Sequence, residues 1–147
     1  MEIKMKKIAF ALTAMLASGF ASAVTFDQTG SLRMTDCPNL LNENVQINLS
    51  TGVVAGVSCN ATGIAIGGCH TAGRTTAREV EVLVPSTDPT APTGTLVSQN
   101  PKVYRTARGP AVATGSTFQG TVVSLYPEAD SCTSEVAEST AEQRLEN

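Results

Sequence analysis

The chain has 147 residues, with ten Lys and Arg against 13 Asp and Glu, one His, four Cys and no Trp, for a formal net charge of −3. So few cations argue against nucleic-acid binding, whose affinity comes largely from neutralising phosphates. A single histidine leaves little material for acid/base catalysis near neutral pH, and the length suits one domain.

Residues 1–23 read as a secretory signal. Lys4, Lys6 and Lys7 form a positive n-region, Ile8 to Phe20 an apolar h-region, and Ala21-Ser22-Ala23 the small-x-small cleavage site. The apolar run is shorter than the roughly twenty residues that a spanning helix needs. Leu16-Ala17-Ser18-Gly19 is followed by Phe20, where a lipid anchor requires cysteine. The expectation is a bacterial protein exported by the general secretory route to the periplasm or cell surface, with no membrane span and no lipid anchor, beginning at Val24. Without the leader, six acids and six cations balance between Val24 and Pro127. Glu128, Asp130, Glu135, Glu138, Glu142 and Glu146 against Arg144 then put a charge of −5 on the tail.

Short β-branched runs punctuated by Gly, Pro, Asn and Asp predict strands over 24–34, 45–49, 53–58, 63–66, 78–84, 95–98, 102–106, 111–114 and 117–126. The near-repeat TGVVAGVSC (51–59) and TGIAIGGC (62–69) predicts a hairpin whose glycines mark bulges or close backbone approach. Three prolines in 84–92 predict an exposed loop. In the tail, 133–147, Val136, Ala141 and Leu145 make only a thin apolar stripe, so a short helix and disorder both stay open. Nine short strands without a sustained helix predict an antiparallel β-sandwich of Ig-like size over 24–132, with a small β-barrel as the alternative.

Four cysteines in an exported chain predict two disulfides. The favoured pairing is Cys59 with Cys69 and Cys37 with Cys132, the two other connectivities remaining open. A tight hairpin turning at Asn60-Ala61 would put Cys69 roughly 23 Å from Cys59 at about 3.3 Å per residue. A bridge needs Cα atoms within about 7 Å, so hairpin and local bridge exclude each other.

Cys69-His70 lacks a C-x2-C companion, and neighbouring strand residues point to opposite faces, so neither a metal site nor a thiol nucleophile is expected. No nucleotide-binding or hydrolase motif occurs, and no cofactor is expected. Lys102, Tyr104, Arg105 and Arg108 form the densest basic run, read as a charged strand edge or a contact surface for a polyanion. Val24 and Phe26, ahead of the first cysteine, are candidates for pairing with a neighbouring chain.

Over eleven residues, Gly115 to Leu125 resembles the late strand of bacterial fimbrial subunits. Four cysteines and an acidic tail depart from that plan, and no family is assigned on it. The function expected is that of a non-enzymatic structural or adhesive subunit, self-assembling or bound to a protein partner through strand edges or sheet faces. The alternative is a monomeric secreted binding module or inhibitor presenting loops 72–78 or 84–92. An enzyme would need a carboxylate pair such as Glu79 and Glu81, which share a strand face.

Overall fold

The computed structural model describes residues 21–146, so the n-region and h-region of the expected leader lie outside the described residues. Among the described residues, eleven strands precede one helix: β1 (Ser22–Phe26), β2 (Gly30–Leu32), β3 (Val45–Ile47), β4 (Val53–Cys59), β5 (Ile64–His70), β6 (Arg78–Glu81), β7 (Leu83–Pro85), β8 (Leu96–Ser98), β9 (Tyr104–Ala107), β10 (Val112–Ser116), β11 (Gln119–Leu125) and α1 (Ser134–Glu146). Two of the nine predicted runs break in the middle. Where 24–34 breaks, Asp27 accepts a hydrogen bond from the Ser134 hydroxyl and Thr29 Oγ1 accepts the Leu49 N–H, so side chains replace ladder partners. The other run, 78–84, divides at Val82.

Five strands form one antiparallel sheet in the order β1-β4-β5-β10-β11, open at both ends rather than closed into a barrel. Its centre is the hairpin expected from the near-repeat, paired from Val53↔His70 to Cys59↔Ile64. Asn60 turns it, its Oδ1 accepting the N–H groups of Thr62 and Gly63. The other strands form three separate two-stranded ribbons, β2-β3, β6-β9 and β7-β8. Where a sandwich has a second sheet, this protein has a ribbon on one face and a helix on the other.

Alternation divides the side chains between those faces. Val24, Phe26, Ala55, Val57, Cys59 and Ile64 gather on one side with Leu32, Leu40, Leu41 and Ile47, so β2-β3 and the loop between them cover the β1-β4 half. On the opposite side Val54, Cys69 and Val112 meet Cys132, Val136 and Ala137 of the tail.

The tail is therefore an ordered, docked helix. Thr133 caps it, its Oγ1 accepting the Val136 N–H at 3.2 Å, and Glu135 in the first turn and Arg144 in the last suit the helix dipole. Of the expected Val136, Ala141 and Leu145, only Ala141 is fully buried; it shares the buried stripe with Ser134, Ala137, Thr140 and Arg144. The reason lies in the sheet. Gly56 and Gly67 are cross-strand partners, and a Cβ on either would overlap helix backbone, that of Glu138 and the Ala137 carbonyl respectively. Where the helix crosses those glycines it has room only for small side chains, and Arg144 lies beyond them in its last turn. Burial, with Glu142 nearby, holds the Glu138 carboxyl above the usual carboxylate range.

The disulfides join Cys37 to Cys59 and Cys69 to Cys132, with Cα separations of 5.6 and 5.9 Å. This corrects the favoured pairing of Cys59 with Cys69. The hairpin forms, placing Cys59 opposite Ile64 at its tip and Cys69 opposite Val54 far down the other strand. Each cysteine instead bridges the sheet to the layer that covers its own face.

Candidate functional site

The sequence-predicted contact residues do not converge. Phe26 is 7% exposed in the core and Val24 packs against that cluster, while their strand β1 is hydrogen-bonded to β4 of the same chain. Lys102 makes an exposed ion pair with Glu81 at 3.2 Å. The Ser98 hydroxyl and then Lys102 hold the Glu81 carboxyl below the usual range, and Glu81 raises Lys102 in return. Tyr104 is exposed and sits opposite Glu81, whereas Arg105 lies opposite Val80 on the other ribbon face. Arg105 donates to the Tyr126 carbonyl at 3.3 Å, and the Arg78 guanidinium stacks 4.9 Å from the Tyr126 ring centre. These contacts fasten the β6-β9 ribbon to the chain just beyond β11. Arg108 follows β9 as an exposed residue.

Cys69 is bridged and His70 Nδ1 accepts the Ala72 N–H at 3.0 Å, so neither forms a nucleophile pair. Among the described residues, no three His, Cys, Asp or Glu side chains gather as a metal site. Of the two carboxylates on β6, Glu81 is held by Lys102 and Ser98.

What the fold does present is a free sheet edge. β11 is the last strand of the sheet, seven residues long, with no ladder partner on its outer side among the described residues. Natural edges are usually shortened, bulged away, or guarded by lysine and proline. Here a bulge interrupts the β10 ladder between Thr114 and Ser116, but no charged residue occurs anywhere between Gly109 and Pro127. Thr114 Oγ1 donates to the Val123 carbonyl at 2.9 Å, so that carbonyl faces β10. By antiparallel alternation, the backbone groups of Val122 and Ser124 point outward.

Apolar surface continues from this edge onto the sheet. Val122 is 74% exposed and Ile66 39%, both on the half of the face that β2-β3 leaves bare. With Ile64 and Gly115 they line a shallow groove of about 340 Å³. A second groove, about 290 Å³, runs between Val122 to Ser124 and the pair Glu81 and Leu83.

The start of the edge is bolted to the rest of the protein by Arg144. Read in sequence as the lone cation of an acidic tail, it is fully buried. Its Nη1 donates to the Gly94 carbonyl at 3.0 Å and its Nη2 to Gln119 Oε1 at 2.5 Å, while Gln119 Nε2 donates to the Thr93 carbonyl at 3.2 Å. Burial lowers its pKa from the ordinary arginine value. The available signal was spacing: Ser134, Ala137, Ala141 and Arg144 share one helix face. Arg144→Ala should lower stability by about 3 kcal/mol, since it deletes the packing of a fully buried side chain and strands two half-buried acceptors. Urea unfolding checks this; an unchanged midpoint would show that the bolt carries no weight.

No family model matches the chain, and neither a curated protein nor a solved structure is significantly similar to it.

Proposed function

We propose that this chain is an exported, non-enzymatic structural subunit of the bacterial periplasm or cell surface that assembles through β-strand edges. The observation that carries this reading is the long, uncharged β11 edge with Val122 standing exposed beside it. An unpaired strand edge offers backbone donors and acceptors to any extended chain, and flanking apolar side chains add affinity. Two disulfides suit an oxidising compartment, and the export reading supplies one. Val24 and Phe26 support the assembly indirectly, by completing the sheet whose far edge is free.

Sedimentation of the purified chain lacking residues 1–23 tests the reading. Its mass should rise above that of a monomer as concentration increases. A strict monomer throughout would overturn it and favour instead a monomeric module that works through its loops.

A further inference from the structure

We infer that the occupant of the β11 edge is β11 of a second copy, joined antiparallel about a two-fold axis at Val122. This rests on the assembly reading above and names its contact.

Strand direction favours this pairing. Five antiparallel strands make β1 and β11 run the same way, so a copy added by translation would meet β11 with its β1 in parallel. Parallel ladders are slightly weaker per residue than antiparallel ones. A two-fold axis perpendicular to the sheet presents β11 to β11 antiparallel and yields an isologous, closed pair.

Strand length favours it too. β11 offers seven residues, while β1 spans five and keeps three if cleavage follows Ala23. Phe26 is followed directly by Asp27, whereas the β10-β11 hairpin carries no charge. At a two-fold contact every residue near the axis meets its own copy, so any charge there would face a like charge. β11 itself meets that condition, and Glu81, across the groove from Val122 to Ser124, is paired with Lys102 of its own chain.

Register places the axis. Val122 is the central residue of Gln119 to Leu125, and its backbone groups face outward. An axis through it pairs Val122 with Val122 of the second copy, Thr121 with Val123, and Gly120 with Ser124. The side chain of Val122, 74% exposed alone, would then pack against its counterpart. The Ile66 surfaces of both copies would fall on one side of the joined sheet and both α1 helices on the other.

Val122→Lys tests this without touching the core. Sedimentation should show the unsubstituted chain as a dimer, and the variant dissociating roughly tenfold or more readily, because two ammonium groups meet at the axis. Its melting temperature at dilution should match that of the parent monomer. Hydrogen exchange supplies a second reading, with Val122 and Ser124 amides gaining protection as concentration rises in the parent and not in the variant. A dimer that survives Val122→Lys with those amides unprotected would overturn the β11 contact while leaving the assembly reading intact. A monomeric parent would overturn both.

Discussion

Gly56→Ala should dislodge α1 and lower stability by about 3 kcal/mol, at the upper end of what overpacking costs. The added methyl would occupy the position of the Glu138 backbone, and backbone cannot swing aside as a flexible side chain does. Gly67→Ala should behave likewise, since its methyl would meet the Ala137 carbonyl and crowd Val112. Two other glycines supply controls. Gly68 has only the Val54 carbonyl oxygen at 3.6 Å near its would-be Cβ, and Gly120 has nothing within 4 Å. Alanine at either should leave the melt unchanged or slightly raised, because it removes glycine's excess freedom in the unfolded chain. Thermal unfolding of the four variants, with exchange of the α1 amides, separates the cases. Equal effects at Gly56 and Gly68 would mean that the helix does not sit where described.

Removing the Cys69–Cys132 bridge should cost about 4 kcal/mol in the chain-entropy account, for a closed loop with sequence separation 63. The Cys37–Cys59 bridge, with separation 22, should cost about 3 kcal/mol. For a domain of this size the larger figure corresponds to a fall of roughly 15 °C in melting temperature. Paired serine substitutions keep the two bridges distinguishable. Cys69→Ser with Cys132→Ser should also strip exchange protection from α1, because that bridge tethers the start of the helix to β5. Cys37→Ser with Cys59→Ser should loosen the loop after β2 and leave α1 protected. Identical melting of the parent and both double variants would show that neither bridge constrains the chain.

Strands were legible because their signals are local. Val45 to Leu49 alternates within itself, and the turn at Asn60 is written in the residues that make it. The layer arrangement was not. A three-residue run such as Gly30 to Leu32 does not reveal whether it joins a large sheet or stands apart with one partner. The tail sequence left helix and disorder equally open because the face that docks is Ser134, Ala137, Thr140 and Ala141, without a large apolar residue. That face has meaning only together with Gly56 and Gly67, more than sixty residues earlier, whose absent side chains let the helix close in. The disulfide pairing failed for a related reason: sequence proximity favoured Cys59 with Cys69, and the hairpin between them carries them apart. The β11 edge was half visible, as an uncharged run with strand character whose place at the margin of the sheet depends on long-range pairing.

The Asp27–Ser134 hydrogen bond spans 107 residues, and α1 follows every strand it covers. A chain synthesised from its N-terminus therefore has all the strands of its sheet available before the helix emerges. Until then the glycine-lined face would be wet and the thiol of Cys69 unmatched. Contacts of such long sequence separation form late and slowly. Maturation would thus run in two stages, a fast local zipping of hairpins and a slow closure by the tail, with Cys69 open to mispairing in the interval.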